Sequence, residues 1–105
     1  METKVITVIY APKANKSILR IIAYIENKGY PETAEKFSDK LYDFGNSLVL
    51  FPEKYQICRN LQLAKRKMRC AVFHKNYIIV YKTLKNNLVI YNVIHIKTNP
   101  VFFSA

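Results

Sequence analysis

The stretch MRCAVFHKNYIIVYKTLKNNLVIYNVIHI, residues 68–96, decides the fold of this chain. Three runs rich in β-branched and aromatic residues, Met68–His74, Tyr77–Thr83 and Leu88–Ile96, are separated by links of a few polar residues. Runs of this composition and length are typical of strands. Because such short links can join only antiparallel neighbours, the sequence predicts a three-stranded antiparallel sheet.

The region before the sheet has helical periodicity in two places. Apolar residues recur on one face of residues 13–28, and a narrower apolar seam runs from Ala34 to Leu48. Pro31 suits the first turn of the second helix, and the Gly29–Tyr30 link is short enough for a helical hairpin. Pro52 ends the helical pattern near Phe51.

A β-branched run at Lys4–Tyr10 predicts one further strand at the start of the chain. The predicted order is therefore strand, helix, helix, strand, strand, strand. The chain has 105 residues and is half hydrophobic, which suits one domain, residues 1–105, of the α+β class. We expect the helical hairpin to cover one face of the sheet and the other face to be at least partly open.

The net charge of +10 is distributed unevenly along the sequence. Residues 1–53 contain all seven acidic residues and seven basic ones, whereas residues 54–105 contain ten basic residues and no acid. An uncompensated positive field favours a polyanion or an acidic protein as partner. The alternative is a basic surface that serves only solubility.

The densest basic cluster lies where the chain enters the sheet. Its members are the candidate binding residues Arg59, Lys65, Arg66, Lys67 and Arg69. Such side chains bind phosphates and carboxylates through charge and forked hydrogen bonds, so the cluster is a candidate site for nucleic acid or an acidic peptide. Strand alternation places Arg69 on the sheet face opposite Met68 and Cys70.

Catalytic and metal-binding signals are weak in this sequence. His95 is a candidate general acid or base, although a single histidine at a strand end is more often structural, and no acidic residue follows Glu53. The cysteines and histidines lack zinc-site spacing, and no glycine loop for phosphates or other cofactor motif is present. We therefore expect no metal and no cofactor.

The two cysteines, Cys58 and Cys70, could form one disulfide, but buried free thiols are the expectation for a chain without an export signal. No apolar run approaches the roughly 20 residues that span a bilayer, and the start of the chain lacks the apolar region of a signal peptide. These features predict a cytoplasmic protein that does not associate with membranes.

The order of these features resembles the RelE/ParE toxin superfamily. The segment PETAEKFSDKLYDFGNSLVLFPEKY, residues 31–55, resembles the second helix of that superfamily, with Pro31 and Ala34 near its start and Phe51–Pro52 at its end. The segments IIVYK, Ile78–Lys82, and VIYNVIHIK, Val89–Lys97, are similar to two of its strands. The resemblance covers residues 5–97 and is closer to ParE-like members.

The resemblance implies the toxin of a type II toxin–antitoxin, or plasmid stabilisation, system that an acidic antitoxin neutralises. ParE-like members inhibit DNA gyrase, which is the leading interpretation. RelE-like members are endoribonucleases that cleave mRNA on the ribosome; under that alternative Arg69 and His95 are the candidate catalytic residues. No tyrosine follows His95, which disfavours cleavage. A non-toxic nucleic-acid-binding module is a third interpretation, and the oligomeric state stays open.

Overall fold

The computed structural model of the chain describes residues 7–96, so Lys4–Ile6 of the first predicted strand and the tail after Ile96 lie outside the described residues. The elements follow the predicted order, with one short helix added before the sheet. They are β1 (Thr7–Tyr10), α1 (Pro12–Asn27), α2 (Pro31–Ser47), α3 (Leu61–Lys65), β2 (Arg69–Phe73), β3 (Tyr77–Leu84) and β4 (Asn87–His95).

The helical hairpin forms where the sequence predicts it. Prolines occupy the first turn of both α1 and α2, and Gly29 reverses the chain between them with a φ of 90°. α2 continues through Gly45, where an added Cβ would lie 2.6 Å from Tyr10 Oη and 3.0 Å from Ile90 Cδ1. Glycine at this position therefore lets α2 approach β1 and β4 closely.

The sheet has four strands in the order β1-β4-β3-β2, so the predicted three-stranded antiparallel sheet is incomplete. β2, β3 and β4 are antiparallel as predicted, but β1 joins the edge of β4 in parallel, with Thr7 opposite Asn87 and Tyr10 opposite Ile90. The direction of β1 is not restricted by a short link, because the rest of the fold separates it from β4 in sequence.

Both faces of the sheet carry buried side chains. On the face toward α1 and α2, Ile79, Tyr81 and Ile90 of the sheet form one buried cluster with Ile18 of α1 and Leu41 of α2. The second face is partly covered by the segment around α3; its buried cluster consists of Cys58, Leu63, Met68, Ile78, Val80 and Ile94. Within this segment Asn60 caps the short helix α3 by accepting hydrogen bonds from two backbone N–H groups.

The two cysteines are joined by a disulfide, which corrects the expectation of free thiols. The segment before α3 runs beside β2, with Ile57 bridged to Arg69. The Cys58 N–H donates to the Met68 carbonyl at 2.9 Å, and this pairing brings the two cysteine Cα atoms to 5.0 Å. The expectation of free thiols was based on the lack of an export signal, whereas the fold places the two cysteines close enough to bond.

A β-bulge interrupts the pairing of β3 with β4. Val80 pairs with Asn92 and Tyr81 pairs with Ile90, so Tyr91 is the extra residue on β4. The pairing of β1 with β4 also ends at Ile90. Tyr91 and the residues after it therefore lie beyond β1, beside the first turns of α1.

Candidate functional site

Arg69, the candidate shared by the binding and nuclease interpretations, supports the fold. Its Nη1 donates to the Tyr55 carbonyl at 2.7 Å, and it pairs with Tyr81 in the β2–β3 register. Tyr81 Oη in turn donates to the Pro52 carbonyl at 2.7 Å. Together these bonds hold the segment that follows α2 against the sheet, on the face opposite Cys70 as alternation predicts.

The rest of the predicted basic cluster does not gather around Arg69. Arg59 lines a shallow groove of about 230 Å³ beside the disulfide. Lys65 ends α3, and Lys67 follows it with a φ of 58°; both are exposed. Of the five predicted residues, Arg66 is the one that lies toward β4. The structure therefore does not bring the five cations together as one site.

His95 lies far from Arg69. It pairs with Tyr77 on β3, and the two rings are 4.8 Å apart in an edge-to-face arrangement. Because Arg69 pairs with Tyr81, four positions further along β3, about 13 Å of strand separates the two pairings. The two candidate catalytic residues are thus not brought into one site.

A different cluster forms around the bulge residue Tyr91. Lys13 Nζ lies 5.1 Å from the centroid of the Tyr91 ring, and Arg66 Cζ lies 4.7 Å from it. Both distances suit cation–π contacts. These side chains border a groove of about 260 Å³ between α1, α3 and β4, which we call the Tyr91 groove. Its other lining residues are Asn60, Gln62, Leu63, Val80, Asn92 and Ile94.

The electrostatics of Tyr91 differ from those of the buried tyrosines. Hydrogen bonding with Arg66 and the positive charge of Lys13 lower the pKa of Tyr91. Burial instead raises the pKa of Tyr10 to about 12 and raises the pKa of Tyr81. The Tyr91 phenol is therefore a stronger hydrogen-bond donor than an ordinary tyrosine.

The Tyr91 groove continues along α1 into a second groove of about 260 Å³, with Lys13, Asn92 and Ile94 shared by both. The continuation adds Lys16 and Arg20, and His95 also lines it. Within residues 7–96, no lining residue of either groove is acidic.

The cations of α1 do not stand out in the charge distribution of the sequence, because residues 1–53 are neutral as a whole. Four of the seven acids, however, lie on α2. The signal was present in the spacing: Lys13, Lys16 and Arg20 recur at intervals of three and four, which places them on one helix face. A charge tally for each helix would have found them.

Two exposed apolar surfaces lie elsewhere on the molecule. Leu50 and Phe51 are 69% and 71% exposed, beside Lys54 and Lys85. Ile57 and Val72, 40% and 51% exposed, are on the second face of the sheet near Arg59. Adjacent exposed apolar side chains of this kind are typical of surfaces that contact other proteins.

Neither a membrane span nor a metal site occurs in the described part of the chain. Its helices lack the combination of length and hydropathy needed to cross a bilayer. Likewise, residues 7–96 contain no group of three or more His, Cys, Asp or Glu side chains arranged to hold a metal ion.

Comparison with known proteins identifies the family. The sequence profile described as "ParE toxin of type II toxin-antitoxin system, parDE" matches residues 8–100. A solved structure described as "Chromosomal ParDE TA system from P. aeruginosa" has the same fold, with a TM-score of 0.75 at 11% sequence identity, over 89% of this chain and 98% of that chain. No curated protein matches the sequence. Because the profile covers most of its length, the chain belongs to the family of ParE toxins of type II toxin–antitoxin systems.

Proposed function

We propose that this toxin acts by binding and inhibiting DNA gyrase in the cytoplasm, and that a cognate acidic antitoxin neutralises it. Membership of the ParE toxin family makes the chain the toxin component of a type II system and implies an antitoxin partner. Gyrase is the target that ParE-like members are associated with. Inhibition by binding requires exposed contact surfaces and no catalytic constellation.

The observation that carries the proposal is the separation of Arg69 from His95. Cleavage of RNA requires a general acid or base within hydrogen-bonding reach of the reacting atoms, next to cations that stabilise the developing charge. Here Arg69 is bonded to the Tyr55 carbonyl, and His95 lies at a distant point of the sheet beside Tyr77. The predicted nuclease pair therefore has no common site.

One observation favours the alternative of an mRNA endonuclease. Tyr91 has a lowered pKa and lies between Lys13 and Arg66, which is an arrangement that could assist proton transfer near a phosphate. Only the endonuclease mechanism uses the Tyr91 hydroxyl in this way, so a substitution of Tyr91 distinguishes it from gyrase inhibition. Loss of growth arrest in Tyr91→Phe, with codon-phased cuts by the wild-type protein, would favour the endonuclease.

The test is induction of the toxin without antitoxin, followed by mapping of mRNA 5′ ends and measurement of DNA synthesis. We expect early arrest of replication and DNA breaks, with bulk translation spared at first. We also expect His95→Ala to remain toxic, because gyrase binding needs no proton transfer. Early codon-phased mRNA cuts with normal replication would contradict gyrase inhibition.

For the antitoxin we propose the surface that contains Arg59, Lys65 and Lys67. These cations are exposed, and the apolar side chains of Ile57 and Val72 are exposed near Arg59. A disordered chain with acidic and apolar residues can fold onto such a surface and cover a large area. Arg66 and Arg69 were predicted with this group, but Arg66 lies toward β4 and Arg69 supports the fold, so both are left out of this surface.

This site is tested by the triple variant Arg59→Glu, Lys65→Glu and Lys67→Glu, with affinity for the antitoxin measured by calorimetry. The matched control reverses three exposed cations of the helical hairpin, Lys28, Lys36 and Lys40, and therefore makes the same change in net charge. We expect at least a tenfold larger loss of affinity in the first variant. Equal losses would show that net charge, and not this surface, determines binding.

A further inference from the structure

The Tyr91 groove offers several hydrogen-bond donors, and the side-chain oxygens of its two asparagines are occupied within the fold. Asn60 Oδ1 accepts from the N–H groups of Gln62 and Leu63 at 3.1 and 3.2 Å. Asn92 Oδ1 accepts from Ser17 Oγ at 2.7 Å and from the Val93 N–H at 2.8 Å. Both amide oxygens are thus engaged within the fold, and the amide NH₂ groups are left for a ligand.

The charged groups of the groove complete the same pattern. Lys13 and Arg66 carry donors and no acceptor, and both are exposed. The Tyr91 hydroxyl lies between them as a donor strengthened by its neighbours. A ligand for this set must be an acceptor with negative charge, and a phosphate or a carboxylate has that chemistry.

The apolar lining of the groove distinguishes between these two ligands. Leu63, Val80 and Ile94 are buried and present little surface to a ligand. Protein partners normally anchor themselves by inserting apolar or aromatic side chains, and the aliphatic residues of this groove expose little surface to such an anchor. A sugar–phosphate backbone requires no such anchor and can be bound by cations and donors alone.

The cations of α1 extend the site beyond one phosphate. Lys13, Lys16 and Arg20 lie on one helix face and span about 10 Å along the axis. With Arg66 on the other side of Tyr91, they form a continuous line of four cations without an acidic residue in the grooves of the described chain. The grooves are recessed between α1, α3 and β4, which suits a single strand better than a duplex.

From this geometry we propose that the Tyr91 groove and its continuation bind the phosphate backbone of a single-stranded nucleic acid. Lys13 and Arg66 bind neighbouring phosphates with the Tyr91 hydroxyl between them, and Lys16 and Arg20 bind the two phosphates that follow. This activity goes beyond the proposed function, because inhibition of gyrase through protein contacts requires no phosphate site. Its success or failure is independent of the gyrase assay.

The experiment is fluorescence anisotropy of the whole chain with a labelled twelve-nucleotide oligothymidylate and, in parallel, a twelve-nucleotide oligouridylate. Comparison of the two affinities distinguishes DNA from RNA. Neutralisation of four phosphates predicts a slope of about −3 for log affinity against log salt concentration. Affinity should then fall about 50-fold between about 50 and 200 mM salt. Absence of binding at the lower salt concentration would overturn the proposal.

The variant Lys13→Gln/Arg66→Gln localises the site. We expect at least a tenfold weaker affinity at the lower salt concentration and a slope reduced by about 1.4, since two cations are lost. The matched control, Lys36→Gln/Lys40→Gln, removes the same charge from exposed positions of α2 and should change affinity less than twofold. Equal weakening in both variants would overturn the proposal in favour of non-specific charge attraction.

Two further measurements on the wild-type protein test the location of the site and the class of its ligand. Amide chemical shifts recorded during titration with the oligonucleotide should change most at Asn60, Arg66, Tyr91 and Asn92. Changes centred elsewhere would overturn the site. A twelve-residue polyglutamate should compete at least tenfold less effectively than the oligonucleotide, and equal competition would assign the groove to an acidic protein.

Discussion

Replacement of Gly45 by alanine tests the close contact between α2 and the sheet. In an exposed helical position alanine is favoured over glycine by about 1 kcal/mol. At Gly45, however, the new Cβ would lie 2.6 Å from Tyr10 Oη and 3.0 Å from the side chain of the fully buried Ile90. Overpacking of a core costs about 1–3 kcal/mol, and displacement of Tyr10 also breaks its 3.1 Å hydrogen bond to Asn46.

We therefore expect Gly45→Ala to lower the free energy of unfolding by about 1–2 kcal/mol, even after the gain in helix propensity. The tighter contact is with the Tyr10 hydroxyl, so Tyr10→Phe should relieve most of the crowding. In the Tyr10→Phe background, Gly45→Ala should lower the free energy of unfolding by less than about 0.5 kcal/mol. The coupling energy between the two substitutions is then about 1 kcal/mol.

The assay is urea unfolding of the four proteins of this cycle, followed by circular dichroism. A comparison of Lys40→Gly with Lys40→Ala, at an exposed position of the same helix, measures the propensity difference without crowding. If Gly45→Ala stabilises the protein as much as alanine does over glycine at position 40, the reasoning about crowding is refuted.

Three further predictions concern the segment after α2, alkaline stability and the disulfide. Tyr81→Phe should lower the free energy of unfolding by about 1–2 kcal/mol in urea titration, because the Pro52 carbonyl loses its donor; an unchanged midpoint would contradict this. Burial raises the pKa of Tyr10 to about 12, so the unfolded state ionises first and stability should fall as pH rises from about 10 to 12. In thermal melts, the stability of Tyr10→Phe should fall less over that pH range than the stability of the wild-type protein. An equal fall in both proteins would assign the pH dependence to other groups. The unfolded, unreduced protein should show no free thiol on titration. The double variant Cys58→Ser/Cys70→Ser should lower the free energy of unfolding by about 2–3 kcal/mol in urea titration. Detection of two thiols would instead support the expectation of free cysteines.

The sequence predicts the parts of this fold that depend on local signals. The alternation and short links of residues 68–96 predict β2, β3 and β4, and Gly29 with its flanking periodic segments predicts the helical hairpin. The parallel addition of β1 was not predictable in this way. Thr7–Tyr10 is too short to indicate its partner, and no short link to β4 restricts the direction in which it pairs.

The same distinction between local and spatial signals applies to the candidate site. α3 has five residues, which is too short for periodicity to reveal, so the sequence alone groups Arg66 with Arg69 in one basic cluster. The bulge at Tyr91 changes the register of β4 and brings that residue to Lys13, which is 78 positions earlier in the sequence. A count of charges along the sequence cannot detect this convergence.

The most direct test of the central claim is a DNA supercoiling assay with purified gyrase. Increasing amounts of the toxin should reduce supercoiling in proportion to the toxin added, and the cognate antitoxin at equal concentration should restore it. Antitoxin alone serves as the control and should leave supercoiling unchanged. Unaltered supercoiling in the presence of a large excess of folded toxin would contradict gyrase inhibition.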